Sequence, residues 1–310
     1  MYKGHTVAAV VPAHNEEELI GRVIATMPEL VDRIIVIDDC STDRTSDVAA
    51  DTGDGRVTVL RHERNTGVGG AILDGHRRVM DEGVDVAVVM AGDAQMDPRY
   101  LPDLLDPIVE EGYGFTKANR FFSMSSFQDM PSYRVLGNVV LSFMTKVASG
   151  YWHIFDPQNG YTAIRRDVLE RLPLERISLG YRFENDLLIN LNILNVRARD
   201  VPVPAIYGSE VSGIRLSRVV PSISSLLIVG FWRRIWWKYV LWSFSPIAML
   251  LLAGLALCAF GFGVGVFAVV SAFHHVSPST GTVMMSVGPL LVGINLMVQA
   301  LVLDIQATPD

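Results

Sequence analysis

Residues 33–45 read RIIVIDDCSTDRT. Arg33–Ile37 is a β-branched apolar run of strand length, and two carboxylates, Asp38 and Asp39, follow it directly. Ser41 or Thr42 can then cap a helix and Asp43 favours its N-terminal dipole, which predicts a helix over about 43–51. A cap accounts for the end of the stretch. It does not account for two acids at the carboxyl end of a strand, the edge where α/β sheets collect ligands. Carboxylates there can accept hydrogen bonds from base or ribose groups.

The same strand–loop–helix unit recurs on either side. The pattern predicts strands over Thr6–Val11, Val57–Arg61, Val84–Met90 and Gly114–Ala118, and helices over about Glu16–Met27, Val68–Glu82 and Arg99–Glu111. Alternation at this spacing implies an α/β domain with a mostly parallel sheet and helices on both faces. The loops after the first four strands, residues 12–17, 38–45, 65–70 and 91–98, are rich in Asp, Asn, Glu or Gly. After Phe121 the regularity fades into a charge-poor loop (123–130), a helix near Ser132–Ser149, a block over 156–166, a helix near Arg182–Leu194 and a strand near Arg197–Val203.

Charge divides the chain. Of 26 Lys+Arg and 33 Asp+Glu, only Asp304 and Asp310 lie beyond Lys238, so residues 239–303 carry no ionised side chain. A soluble part of domain size is thus followed by a membrane part, which excludes both a purely soluble protein and a polytopic transporter. The net charge of −7 argues against nucleic-acid binding. Cys40 and Cys258 fall in different parts and suggest no disulfide framework. Residues 7–12 are too short for the core of a signal peptide, so the soluble part is expected in the cytoplasm.

Between Val211 and Lys238 stand Arg215, Arg218, Arg233, Arg234 and Lys238 without an acid, and Trp232, Trp236, Trp237, Tyr239 and Trp242 cluster there. Basic residues with Trp and Tyr describe a helix at the headgroup level of a membrane; a buried helix against the domain is the alternative. Two hydrophobic stretches follow, about 244–270 and 283–303, each able to span roughly 30 Å of hydrocarbon. The expected domains are 1–210, a basic and aromatic interfacial region 211–242, and a membrane domain 243–310. The link 271–281 has no Lys or Arg, so the positive-inside rule puts the soluble domain on the cytoplasmic side of the cell membrane. Pro289, Asn295 and Gln299 favour contact with a partner helix, and a homo-oligomer through the membrane helices is compatible with this.

The loops carry the chemistry. The turn after the first strand, residues 11–17 (VPAHNEE), has no glycine, so a dinucleotide-binding Rossmann turn is excluded. Gly67, Gly69 and Gly70 read as a structural turn, since Ile72 stands where a third fingerprint glycine would be. In residues 91–98 (AGDAQMDP), Asp97 before Pro98 reads as a helix cap. Asp93 and Gln95 instead place two oxygen donors directly after an apolar strand. Hard divalent cations take such ligands and complete their shell with substrate phosphates.

Together VPAHNEE, VIDDCSTDRT, NTGVGGA (65–71) and GDAQMDP resemble, in order and spacing, glycosyltransferase family 2, of GT-A fold. The resemblance covers about residues 5–205 and is similar within the family to the polyprenyl-phosphate glycosyltransferases, the dolichyl-phosphate mannose synthases and their bacterial glucosyl relatives. It implies nucleotide-sugar contacts from Pro12, Asn15, Glu16, Asp38, Asp39, Gly92 and Asp93, and Mg²⁺ or Mn²⁺ on Asp93 and Gln95, with Ala91 in place of a first acid. Arg120 and Arg134 stand where the subgroup clamps the acceptor phosphate. Asp156 in residues 156–161 (DPQNGY) stands near the sugar and acceptor, so the implied catalytic set is Asp93, Arg120, Arg134 and Asp156. Residues 180–186 (GYRFEND) also resemble a subgroup segment. The subgroup's mobile basic loop is poorly kept, with Glu210, Arg215 and Leu216 at its Arg, Ser and Lys positions.

The resemblance thus implies inverting, metal-dependent transfer of a hexose from a nucleotide sugar, of UDP-glucose or GDP-mannose type, to a membrane polyprenyl phosphate. A processive polysaccharide synthase is the enzymatic alternative, but Arg233–Trp236 lacks the Gln of its Q-x-x-R-W segment. A non-catalytic sugar-nucleotide-binding protein is the other alternative, because of Ala91.

Overall fold

The computed structural model describes residues 1–122, 132–204, 216–275 and 277–309. They form two compact units, Met1–Phe231 and Trp232–Thr308. The division falls inside the basic and aromatic region rather than before or after it.

The first unit is built on one sheet of seven strands: β1 Val7–Ala13, β2 Arg33–Asp38, β3 Val57–Arg61, β4 Val86–Val89, β5 Phe115–Asn119, β6 Thr162–Arg165 and β7 Ala198–Pro202, in the order β3-β2-β1-β4-β6-β5-β7. β1 pairs in parallel with β2 and β4, β2 with β3, and β5 with β7; β6 runs antiparallel between β4 and β5. All seven residues of β1 are buried, as expected of a strand covered on both faces. Ala8 and Val10 face a cluster with Ile72, Val79 and Phe183. Val7, Ala9 and Val11 face a second cluster with Ile24, Leu101 and Leu104. The helices that supply these layers are α1 Ile20–Ala25, α2 Thr45–Ala50, α3 Val68–Asp81, α4 Leu101–Glu110, the single turn α6 Arg166–Leu169 and α7 Phe183–Ile193, while α5 Ser132–Ser149 and α8 Leu216–Arg234 meet α7 in a third cluster.

Two local expectations are corrected. α1 begins at Ile20 rather than near Glu16 because the backbone before it is tied elsewhere. Asn15 has φ 59°, and the amides of Asn15, Glu16 and Glu17 donate to Ser41 Oγ, Thr45 Oγ1 and Asp43 Oδ2. Neither Ser41 nor Thr42 caps α2; the Asp43 carboxylate accepts from the Thr45 amide at 3.0 Å instead. β6 was also not expected inside the 156–166 block. It is four residues long, and only pairing with β4 and β5, distant in sequence, makes it a strand.

α8 lays Ile223 and Leu227 on Ala148, Ile189 and Ile193 of the first unit. In the second unit a π-helical segment, Ile235–Trp242, leads to α9 Pro246–Phe273 and α10 Thr280–Gln306. Each long helix extends roughly 40 Å and is long and apolar enough to cross a membrane. Their apolar side chains point outward, Phe262, Phe267 and Leu291 among them. Small residues let the two backbones approach: a Cβ on Gly254 would lie 2.8 Å from Gly293 O, and Ser286 Oγ donates to Gly261 O at 2.9 Å. Arg234 is wholly buried and makes a two-pronged ion pair with Asp304 at 2.6 and 3.0 Å, to which Tyr239 donates at 2.6 Å.

Candidate active site

A cavity of about 500 Å³ opens at the carboxyl ends of β1, β2 and β4, where the strand order reverses around β1. It gathers residues from all four acid- and glycine-rich loops. Pro12, Glu16, Asp39, Gly92 and Asp93 line it, and so do Ala91, His14, Asn65, Gly67 and Tyr181. Asp38 and Asn15 do not. Asp38 is completely buried and binds its own turn, accepting from Ser41 N at 2.8 Å and from Ser46 Oγ. Its carboxyl stays below the usual range because these hydrogen bonds outweigh burial. Asn15 joins the first loop to the second, its Oδ1 accepting from Thr42 N at 2.8 Å. These two residues shape the cavity wall from behind.

Asp39 faces the cavity but is heavily committed. Its Oδ1 pairs with His62 Nδ1 and accepts from Thr66 N, both at 2.8 Å, and its Oδ2 accepts from Gly67 N at 2.7 Å. Those donors overcome burial and hold the carboxyl low. The acid therefore fixes the third loop against the second. The glycines of that loop have a steric reason as well. Gly67 has φ 78°, and a Cβ on Gly69 would lie 2.6 Å from Phe183 Cβ and 3.1 Å from Gly180 N. Only without a side chain there can the turn at Gly180–Arg182 close over the cavity and present Tyr181.

Asp93 also lines a second, smaller cavity of about 120 Å³, together with Gln95, Arg120, Gln158, Asn159 and Tyr161. It stands where the two spaces meet. Its Oδ1 accepts from Gln95 N at 3.1 Å across a turn that puts Ala94 at φ 57°. Burial pushes its carboxyl up, and among the described residues no cationic side chain is paired with it. A partly buried carboxylate with no counter-charge, two residues before an amide oxygen donor, fits a hard divalent cation that takes its remaining ligands from a diphosphate. Among the described residues no group of three acids, histidines or cysteines forms a self-sufficient metal cage. Asp97 caps the following turn, accepting from Arg99 N at 2.9 Å ahead of Pro98.

Arg120, directly after β5, reaches the smaller cavity and is braced by Asp156: Nε to Oδ2 is 2.7 Å and Nη2 to Oδ1 is 3.1 Å. Asp156 is 1% exposed and does not line the cavity, so it acts on the site through the arginine. Buried Lys117 donates to Asn159 O and anchors the loop that carries Asp156. The side chains of Arg134 and Arg218, and Glu210, Gly213 and Arg215 entirely, lie outside the described residues.

Sequence reasoning missed His14, Asn65 and Tyr181 as lining residues. The GYRFEND segment was recognised, but its place beside Gly67, far away in sequence, is a tertiary fact.

Fold and cavity define an α/β domain with an open cavity across the carboxyl edge of its sheet, beside a second space walled by an arginine. A sequence model described as "Glycosyl transferase family 2" matches residues 8–173, more than half of the chain, and the chain belongs to that family. It is a glycosyltransferase of GT-A fold. It is 28% identical over 213 residues to the UDP-N-acetylglucosamine–dolichyl-phosphate N-acetylglucosaminyltransferase of Methanococcus voltae, covering 64% of this chain and 84% of that one. It is 28% identical over 237 residues to the undecaprenyl-phosphate mannosyltransferase of Micrococcus luteus, covering 73% and 96%. Among solved structures it is similar to glucosyl-3-phosphoglycerate synthase from Mycobacterium tuberculosis in complex with Mn²⁺, UDP-glucose and phosphoglyceric acid, with a TM-score of 0.55, 24% identity, and 74% and 80% of the two chains covered.

Proposed function

We propose that this chain transfers a hexose from a nucleotide sugar of UDP-glucose or GDP-mannose type to a membrane polyprenyl phosphate, with inversion at the anomeric carbon. The observation that carries this reading is the position of Asp93 at the junction of the two cavities, the larger of donor size and the smaller walled by Arg120. The names of the two prenyl-phosphate relatives support the acceptor class.

The acceptor supplies its own nucleophile. By analogy with phosphoserine its second pKa is about 6, so it is largely dianionic at neutral pH and requires no general base. A phosphate oxygen forms the new bond to the anomeric carbon as the bond to the diphosphate breaks, and the electron pair leaves with the nucleoside diphosphate. Asp93 and Gln95 would hold Mg²⁺ or Mn²⁺, which supplies Lewis-acid neutralisation of the departing diphosphate. Arg120 grips the acceptor phosphate, its guanidinium plane fixed by Asp156 through Nε and Nη2. Arg134 is assigned to the same phosphate. Pro12, Glu16 and Asp39 bound the nucleotide-sugar space.

The membrane assignment has its own support. α9 and α10 bury only 22% and 11% of their most apolar windows, unlike the core helices of a soluble protein. They anchor the domain to the lipid that carries the acceptor, with the catalytic unit on the cytoplasmic side. The test is incubation of membranes bearing the chain with a panel of labelled sugar nucleotides and a polyprenyl phosphate, with and without chelator. Chelator-sensitive label in the lipid phase is expected. Label in long polymer, or none in lipid with any donor, overturns the reading.

A further inference from the structure

Beside the smaller cavity stands a partly buried carboxylate that this reading does not use. Asp200 on β7 lies in register with Lys117 of β5. Its Oδ2 accepts from Asn119 Nδ2 at 2.9 Å and from Phe155 N at 2.8 Å. Asn119 precedes Arg120, and its own Oδ1 accepts from Phe121 N at 2.8 Å, bracketing the arginine. Phe155 precedes Asp156. One oxygen atom therefore ties together the two backbone segments that bear the Arg120·Asp156 pair. The other, Oδ1, is buried and has no hydrogen-bond partner among the described residues.

We propose that Asp200 is a positioning residue for acceptor transfer, its carboxylate holding Arg120 and Asp156 in register at the wall of the smaller cavity without touching substrate. The proposal rests on the assignment of Arg120 to the acceptor phosphate. The charge matters as well as the hydrogen bonds. Lys117 is offset here by Asp156, Glu184 and Asp200, and Arg120 by Asp156; removing Asp200 leaves Lys117 drawn more strongly to Asp156, the anion that orients Arg120. Burial pushes the Asp200 carboxyl up to about 6, with the Phe155 amide, Lys117 and His153 opposing that rise and Asp156 adding to it. Lys146 of α5 is the remaining cation that senses it. Arg197 and Arg199 stack on Tyr113 instead.

Below that pH Asp200 gains a proton, loses its attraction for Lys117, and becomes a donor with no acceptor waiting. Acceptor use should then fall. The acceptor phosphate itself protonates near pH ~6, so the two protons must be separated by slope. The experiment uses the full chain in detergent, farnesyl phosphate as acceptor, and whichever of UDP-glucose or GDP-mannose it turns over. In the wild type, kcat/KM for farnesyl phosphate should fall with two protons below pH ~6; in Asp200→Asn it should fall with one. That variant should also raise the acceptor KM about ten- to a hundredfold at neutral pH, with the donor KM unchanged. Equal slopes and an unchanged acceptor KM overturn the proposal. If Asp200→Asn does not fold by circular dichroism, Asn119→Ala removes one arm of the bracket. It should raise the acceptor KM and keep the two-proton slope, and an unchanged KM overturns the proposal. Arg120→Ala is run alongside. A donor defect there refutes the acceptor assignment, and with it the proposal, whatever Asp200→Asn does.

Discussion

Asp93→Asn separates what the carboxylate does for binding from what it costs the fold. Asparagine keeps the volume, and its amide oxygen can still accept from Gln95 N, as Asp93 Oδ1 does at 3.1 Å. Only the charge is lost. Replacing a charge-assisted contact by a neutral one removes about 1.5–3 kcal/mol, or roughly ten- to 150-fold in metal-dependent nucleotide affinity. Stability should move the other way. Burial raises the Asp93 carboxyl above its unfolded value and no cation is paired with it among the described residues. The protonated acid is therefore the form the fold prefers, and the stability it contributes at low pH is lost as the pH rises through the folded value. The variant escapes that loss, so in metal-free buffer at neutral pH its Tm should equal or exceed that of the wild type, and the advantage should vanish in acid. The assay is calorimetric titration of UDP and GDP with and without Mn²⁺, beside thermal unfolding in chelator. An unchanged Mn²⁺ increment in nucleotide affinity would refute the metal assignment. A Tm lowered by several degrees would refute the account of the carboxylate as unpaired.

Gly69→Ala places a Cβ 2.6 Å from Phe183 Cβ, which is too near the backbone to swing aside. The turn at Gly180–Arg182 must shift, at about 1–3 kcal/mol, and nucleotide affinity should weaken while Gly55→Ala, with nothing within 4 Å, stays neutral in the same calorimetry. Asp304→Ala strands the buried Arg234 charge and should cost about 3–5 kcal/mol, seen as a lower detergent-solubilised Tm, whereas the double replacement Arg234→Met with Asp304→Leu should recover most of it; equal losses in both would refute the pairing. A cysteine at Ser277, in the exposed link between α9 and α10, should react with an impermeant thiol reagent on intact cells. Labelling only after permeabilisation would reverse the proposed orientation.

Local pattern alone determined the layered α/β architecture, because β-branched runs and amphipathic segments record which faces must be buried. β3 occupies Val57–Arg61 as read from sequence, and α3 ends one residue short of the expected Glu82. The apolar helices were equally legible: α9 and α10 overlap the two expected stretches, since a charge-free run of 65 residues has few other uses. The loops that line the larger cavity are also legible in the sequence, because they follow directly on apolar strands and the carboxyl ends of those strands share one edge of the sheet. Tertiary structure decided what each acid in those loops does. Asp38, Asp39 and Asp93 all follow strands, yet the first is sealed in its own turn, the second is spent on His62, Thr66 and Gly67, and the third faces both cavities. Neither composition nor spacing distinguishes them, because which donors reach a carboxylate depends on how its loop folds, and for Asp39 those donors come from a loop more than twenty residues away. The same reason hid β6, which becomes a strand only through neighbours already in place. It also hid Asp200, an unremarkable acid in a short strand until folding brings Asn119 and Phe155 to one of its oxygens.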